Sequence, residues 1–152
     1  MKKNKKIIIG FLGCPKSGRT TAAKILEKKG FYFVSINEKV AEFASHLFSK
    51  DEIEREHNKI INEVRKRGTK VNKEYWLNLI LIAVPDEAKY IVFDDISLDE
   101  ANNDKVSTYQ IYRPDVSNLR VDDIETIEND GSLKDLAKRI EDIYEQFVSS
   151  GS

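Results

Sequence analysis

The sequence is poor in cysteine and has no long apolar run. Its 152 residues include a single cysteine, Cys14, so an internal disulfide is excluded and the chain suits a reducing compartment. No apolar stretch approaches the ~20 residues that span a membrane. The basic start over residues 2–6 is not followed by the apolar core and small-residue cleavage site of a signal peptide. We therefore expect a cytoplasmic chain with no membrane partner.

Neither sign of charge dominates. The 25 basic and 26 acidic residues give a formal net charge of −1, so no global basic field argues for binding to nucleic acid. Hydrophobic residues at 40% and charged residues at 34% indicate one core beneath a heavily charged surface. We expect a single domain over 1–148 and a disordered tail over 149–152. The composition leaves open whether the chain is a monomer or a homodimer.

A glycine loop follows the first apolar run. Ile7–Leu12 is short and rich in β-branched residues, as in a buried parallel strand, and the loop Gly13–Thr20 leads from it into an amphipathic helix. This context is that of a phosphate-binding P-loop, G-x-x-x-x-G-K-[ST], with arginine in place of lysine. Backbone amides of such a loop and of the helix start form a concave nest of positive partial charge. We expect phosphate contacts from Gly13, Lys16, Ser17, Gly18, Arg19, Thr20 and Thr21.

Arg19 stands where a working P-loop carries lysine. A lysine ammonium is a compact point charge, whereas a guanidinium is larger, planar and suited to bidentate contacts. The exchange keeps the positive charge and changes where it sits, so it leaves open whether the loop supports catalysis. Lys16, inside the loop, is a second cation available for the same role.

A later apolar run ends in two carboxylates. Tyr90–Phe93 is followed directly by Asp94 and Asp95. In open parallel sheets ligands bind beyond the carboxyl ends of the strands, so these acids are expected at the edge that carries the loop. A carboxylate there and the hydroxyl of Thr20 are ligands that a hard cation such as Mg²⁺ prefers. Adjacent strand residues point to opposite faces, so one of the two acids is expected to face the site. The alternative is an acid that only caps a turn.

The remaining pattern alternates between strands and helices, which predicts a three-layer α/β/α P-loop fold with a parallel sheet of about five strands. A helix capped at Asn72 and stapled by Val71 and Trp76 is predicted before the acidic strand. A capping box of Ser132 and Asp135 is predicted to start the last helix, with Leu133 and Leu136 in its buried face. The other predicted elements are strands over 31–36, 106–112 and around 124–127, and helices over 38–49 and over 52–67, the latter ending at Gly68.

These elements together resemble the P-loop nucleoside monophosphate kinase superfamily. The segment 27–31 and the sequence Asn-Asp-Gly-Ser-Leu at 129–133 are similar to dephospho-CoA kinases, and bacteriophage deoxynucleoside monophosphate kinases carry the same 129–133 element. About 33 residues separate Asp95 from that element, which is too few for the long helical lid of dephospho-CoA kinases. The segments 99–101 and 113–114 also resemble the phage enzymes, so the chain is identified as closest to those. It departs from them in Gly18-Arg19-Thr20, where they have Gly-Lys-Asp, and in lacking an arginine after the acidic strand.

The resemblance implies phosphoryl transfer from ATP with Mg²⁺ to a small-molecule nucleotide, a (deoxy)nucleoside monophosphate. It implies catalytic roles for Arg19, Lys16 and Asp94, with Thr20, Asp94 and Asp95 at the metal. The two departures leave a catalytically impaired homologue, which binds nucleotide or a protein partner, as the alternative, and a dephospho-CoA kinase-like enzyme as a further one. For the basic residues of 65–67, the competing interpretation is a solvated helix end. For Trp76, it is a position in the core. The candidate substrate residues are Arg65, Arg67, Trp76 and Arg113.

Overall fold

The chain divides into two compact parts. The structure, a computed structural model, describes residues 6–14, 16–101, 105–115, 121 and 123–150. The sheet unit comprises Met1–Val34 and Asp86–Ser152, and the helical unit comprises Ser35–Pro85. The division means that each of the two groups of residues is compact by itself. It does not test the expectation of one domain over 1–148, which stays a prediction.

A five-stranded parallel sheet forms the centre of the sheet unit. Its strands are β1 (Ile7–Leu12), β2 (Tyr32–Val34), β3 (Tyr90–Phe93), β4 (Val106–Tyr112) and β5 (Glu125–Glu128). They lie in the order β2-β3-β1-β4-β5, and every neighbouring pair is parallel. The predicted α/β class and the parallel sheet of about five strands are confirmed. The order places the end of β1 between the ends of β3 and β4.

Some helices belong to the sheet unit and flank the sheet, and the others make up the helical unit. They are α1 (Arg19–Lys28), α2 (Ile36–Ala44), α3 (Lys50–Arg55), α4 (His57–Val71), α5 (Tyr75–Ala83), α6 (Leu98–Ala101) and α7 (Leu133–Ser150). In the sheet unit, Ala22 and Leu26 of α1 and Ile140 of α7 are fully buried in one cluster with Ile9 and Phe11 of β1. No helix in the described ranges has the length and apolarity that a bilayer crossing requires.

The start of α7 follows the predicted capping box. The amide of Asp135 donates to the Ser132 hydroxyl at 3.2 Å, and the amide of Ser132 donates to the Asp135 carboxylate at 3.3 Å. Leu136 is buried as expected, but the prediction that Leu133 is buried was wrong, because this first helical residue is 66% exposed. Residues 149 and 150 of the predicted tail are the last two of α7, and residues 151–152 lie outside the described residues.

The helical unit differs from the predicted pattern at Gly68. The predicted helix over 52–67 is divided between α3 and α4 at Glu56, and α4 continues through Gly68 to Val71. Reading Gly68 as a helix end was wrong, because its lack of a Cβ serves packing: a Cβ there would lie 2.6 Å from Trp76 Nε1. The predicted staple was also wrong, since Val71 is 82% exposed.

Candidate phosphate-binding site

The loop after β1 is curled back on itself. The amide of Ser17 donates to the Cys14 carbonyl at 3.1 Å, and Lys16 adopts a left-handed φ of 68°. Gly18 has a φ of 111°, which side-chain-bearing residues rarely adopt. Glycine is also needed at Gly13, because a Cβ there would lie 2.6 Å from the carbonyl oxygen of Ile111. The two glycines thus permit a turn that brings the backbone close to its neighbours. Pro15 lies outside the described residues.

The loop ends on the amino terminus of α1. Gly18 is the N-cap residue and supplies no side-chain cap, and the first turn contains no acidic residue. The first amides of a helix have no partner within it and carry the positive end of its dipole. An anion is the ligand that such an end favours.

A cavity of about 400 Å³ lies at this helix end. It brings together most of the predicted phosphate contacts and Arg113, which follows β4. Two predicted contacts are not part of its lining: Gly13 lies farther back in the loop, and Ser17 is buried at 2% exposure. The cavity is lined by Lys16, Gly18, Arg19, Thr20, Thr21, Arg113, Asn129, Gly131, Leu133 and Leu136.

The loop and the acidic strand end meet through Thr20 and Asp94. The hydroxyl of Thr20 donates a hydrogen bond of 3.0 Å to Asp94 Oδ2. The second carboxylate oxygen, Oδ1, is buried and has no hydrogen-bond partner among the described residues. Of the two adjacent acids considered from the sequence, Asp94 is thus the one that accepts the Thr20 hydroxyl. Asp95 is also buried, at 7% exposure.

The surroundings of Asp94 disfavour its charge. Burial, and next the neighbouring charge of Asp95, raise the pKa of Asp94 to about 6, against the opposing effects of the Thr20 hydrogen bond and the Arg19 charge. A buried carboxylate with an unpaired oxygen gains from a cation beside it. Within the described ranges no cluster of three His, Cys, Asp or Glu residues could hold a metal unaided. The donor set fits an ion that takes its remaining ligands from phosphate and water, as Mg²⁺ does.

Arg19 runs back along the loop. Its Cδ lies 3.5 Å from the position that a Cβ on Gly13 would occupy. Its charge lowers the pKa of Asp94, so the guanidinium is electrostatically coupled to the acidic strand end. Arg19 therefore lies beside the loop backbone and also lines the cavity.

Arg113 reaches the cavity from the end of β4. Its Nε donates to Asp115 Oδ1 at 3.0 Å, and the side chain is 43% exposed. This ion pair is solvent-accessible and so contributes little to stability. Arg113 can exchange a carboxylate partner for a phosphate at small cost.

Asn129 is a site residue that the sequence analysis missed. Its Nδ2 donates to the Ser17 carbonyl at 2.8 Å, and its amide donates to the Tyr112 carbonyl at 2.7 Å. The sequence Asn-Asp-Gly predicts only a turn. A contact across 112 positions leaves no local signal, so the pattern could not have assigned this role.

The other predicted substrate residues belong to the helical unit. Arg65 Nη1 donates to Asn37 Oδ1 at 2.7 Å, and Arg67 is exposed on α4. Trp76 is 2% exposed, and its Nε1 donates to the Arg65 carbonyl at 2.8 Å. The Trp76 ring also makes edge-to-face contacts with two other aromatic rings of this unit. The indole is thus part of the packing here, and roles for these three residues toward an acceptor stay predictions.

The strand order, the curled glycine loop after β1 and the acid at the end of β3 define a parallel α/β fold with a P-loop-like turn after its first strand. Solved structures share this fold. The crystal structure of TT1252 from Thermus thermophilus is similar, with 18% identity and a TM-score of 0.58 over 93% of this chain and 97% of that one. Dephospho-CoA kinase from Campylobacter jejuni is similar with 14% identity and a TM-score of 0.57, over 95% of this chain and 98% of that one. No model of a known protein family and no curated protein sequence matches the chain.

Proposed function

We propose that the chain binds ATP with Mg²⁺ at the phosphate loop and transfers the γ-phosphoryl group to a (deoxy)nucleoside monophosphate. The observation that carries this proposal is the 3.0 Å hydrogen bond between Thr20 and Asp94 beside an open cavity. A loop that served only as a turn would not need a hydroxyl–carboxylate pair at the end of the neighbouring strand. The likeness in fold to a dephospho-CoA kinase supports the same reaction class.

Different residues position the phosphate chain and neutralise its charge. The loop and helix amides hold the phosphate chain, while Lys16, Arg19 and Arg113 place three positive charges around the cavity. Thr20 and Asp94 would hold Mg²⁺, which when bound neutralises charge on the phosphate oxygens. In the transfer, the bond from the γ-phosphorus to the oxygen of ADP breaks, and a bond from that phosphorus to an acceptor phosphate oxygen forms. The protein supplies alignment rather than covalent chemistry.

Two other functions use the same fold. Dephospho-CoA as the acceptor is favoured by the likeness to the Campylobacter jejuni enzyme. A catalytically impaired homologue is favoured by Arg19, whose planar guanidinium stands where the transferred group requires a point charge. A homodimer and a cytoplasmic location stay predictions.

The first experiment measures binding. Thermal unfolding is followed with ATP, with and without Mg²⁺, for the unaltered chain and for Thr20→Val. A ligand at 100 times its Kd raises the unfolding free energy by about 2.7 kcal/mol. We expect a Mg²⁺-dependent shift that Thr20→Val loses. Thr69→Val is the matched control, because the Thr69 hydroxyl donates to the Arg65 carbonyl in the helical unit.

The second experiment measures turnover. ADP release is followed with ATP·Mg²⁺ and each common nucleoside monophosphate in both sugar forms, and separately with dephospho-CoA. Turnover confined to a nucleoside monophosphate supports the proposal, and turnover confined to dephospho-CoA selects the second function. Binding without turnover on any acceptor selects the impaired homologue. No binding of ATP contradicts both kinase functions and leaves only the homologue that binds a protein partner.

A further inference from the structure

We infer that Asn129 is a positioning residue that sets the direction of a backbone amide in the phosphate loop. The inference rests on the proposed function in one respect, which is that the loop binds phosphate. Asn129 contacts the loop from the turn between β5 and α7, far from it in the chain. Its effect is exerted through the peptide group between Ser17 and Gly18.

Asn129 is well placed to act as a fixed point. Its own amide donates to the Tyr112 carbonyl at 2.7 Å, which ties the turn to the end of β4. From there its Nδ2 donates to the Ser17 carbonyl at 2.8 Å, in a buried contact. A donor anchored to the sheet does not move with the loop, so it imposes an orientation on the carbonyl that it holds.

The orientation of that carbonyl determines the orientation of the next amide. A trans peptide is planar, and its C=O and N–H point in opposite directions. The described peptide bonds include no cis bond. With the Ser17 oxygen held toward Asn129, the N–H of Gly18 points away from Asn129, which on our inference is the concave side of the loop. That N–H then lies among the donors available to a phosphate.

This peptide needs an external restraint because of the residue that follows it. Gly18 has a φ of 111°, and glycine occupies positive and negative φ with similar ease. A flip of the Ser17–Gly18 peptide would replace an N–H in the concavity by a carbonyl oxygen, which repels phosphate. The hydrogen bond from Asn129 favours the donor orientation over the flipped one.

The close approach explains why the two positions are occupied as they are. A Cβ on Gly18 would lie 2.6 Å from Asn129 Nδ2, so a side chain at 18 and the amide at 129 exclude each other. The asparagine side chain reaches the Ser17 carbonyl through the space that a side chain at 18 would occupy. Gly18 and Asn129 thus form a matched pair, although they are distant in sequence.

The test compares two buried amides of the sheet unit. Asn129→Ala removes the donor to the loop. Gln110→Ala removes an amide that is 4% exposed and donates to the Ile124 carbonyl and the Thr126 hydroxyl, neither of which belongs to the loop. In both variants, polar groups lose the hydrogen bond that the deleted amide had made, so both lower the thermal midpoint. The probe is inorganic tripolyphosphate, titrated calorimetrically at a temperature where circular dichroism shows each variant folded.

We expect Asn129→Ala to weaken tripolyphosphate binding by about tenfold and Gln110→Ala to leave it within about twofold. Amide NMR of Gly18 provides a second readout: the residual dipolar coupling of its N–H reports the direction of that bond and so changes when the peptide reorients. Equal losses of affinity in both variants, or an unchanged affinity and Gly18 signal in folded Asn129→Ala, overturn the inference. Should Asn129→Ala not fold, Asn129→Asp keeps the shape but presents a carboxylate to the Ser17 oxygen. Because that carboxylate lines the cavity and also repels phosphate, the Gly18 signal alone then decides.

Failure of the proposed function has a different signature. If the unaltered chain binds neither ATP nor tripolyphosphate, the loop is not a phosphate site and the proposed function is contradicted. The role of Asn129 is then decided by the Gly18 amide signal alone. A changed signal in Asn129→Ala supports the positioning role, and an unchanged one overturns it.

Discussion

The hydroxyl of Thr20 donates to the carboxylate of Asp94, and this bond joins the first helical turn after the loop to the end of a neighbouring strand. The bond uses one carboxylate oxygen and leaves the other buried without a partner in the described structure. Such an oxygen is costly to bury in a charged state. The pair therefore gives up stability at the place where a cation would restore it.

Asp94→Asn is expected to stabilise the chain at pH 7 and to have little effect at pH 4. The folded-state pKa of about 6 lies above the ordinary value of 3.8, so the folded state holds this proton more tightly than the unfolded state. The contribution to stability is complete below pH ~4 and is lost as the pH rises through ~6. Since the carboxyl keeps part of its hydration, the gain of Asp94→Asn at neutral pH should be on the order of 1 kcal/mol.

Urea unfolding at pH 4, 5 and 7 measures this effect. The control is Asp86→Asn, a change at an exposed position of the same unit. A difference between Asp94→Asn and the unaltered chain that stays constant over the three pH values would show that Asp94 titrates normally. The same variant should lose Mg²⁺-dependent binding of ATP, so stability and binding move in opposite directions.

Lys16→Gly should weaken ATP binding without lowering stability. Lys16 holds a φ of 68°, a region that glycine enters without strain, so relief of strain offsets the greater freedom of the unfolded chain. The lost ammonium borders the cavity, and its removal should weaken ATP binding several-fold. Lys24→Gly, at an exposed position inside α1, should have the reverse pattern, with about 1 kcal/mol lost in stability and unchanged affinity. Denaturant midpoints and ATP titrations of the two variants provide the comparison, and equal behaviour would contradict it.

Arg19→Lys should raise phosphoryl-transfer turnover. The ammonium is compact and strongly hydrated, and it fits a single phosphate oxygen better than a planar guanidinium does. Steady-state ADP release with the best acceptor measures the change. Arg139→Lys, at an exposed position on α7, is the matched substitution and should have no effect. A lower rate in Arg19→Lys would mean that the rest of the loop is adapted to arginine.

Gly68→Ala should destabilise the helical unit, although alanine is ordinarily the better helix former. The new Cβ would lie 2.6 Å from Trp76 Nε1, which donates to the Arg65 carbonyl. Overpacking of this kind costs roughly 1–3 kcal/mol. Lys70→Ala, on the same helix, should be close to neutral. The chain has one tryptophan, so fluorescence-monitored unfolding reports directly on this contact. An unchanged midpoint for Gly68→Ala would mean that the indole moves aside easily.

The sequence predicted the elements whose signals are local. β4 runs over Val106–Tyr112, the range predicted from the sequence, and the Ser132–Asp135 capping box depends on residues three apart. The glycine loop and the acid after β3 were found for the same reason. The sequence pattern left two adjacent acids as candidates for the carboxylate that contacts the loop. The hydrogen bond from Thr20 identified Asp94.

The misses arise where a residue serves a distant partner. Gly68 has the sequence signature of a helix end, yet it is glycine because Trp76 packs against it from the next helix. Leu133 has the spacing of a core residue but lies at the first turn of α7, beside the cavity. Asn129 has the signature of a turn, and its second role depends on a carbonyl in the loop. No periodicity encodes such pairings.

The bond between Asn129 and Ser17 spans 112 positions, and this has a consequence for biosynthesis. The glycine loop leaves the ribosome well before its restraint, which is encoded 112 positions later. A partly synthesised chain would carry the loop without the amide that orients it. If the loop binds nucleotide as proposed, this binding and the thermodynamic protection that it confers would therefore begin only after residue 129 has been synthesised.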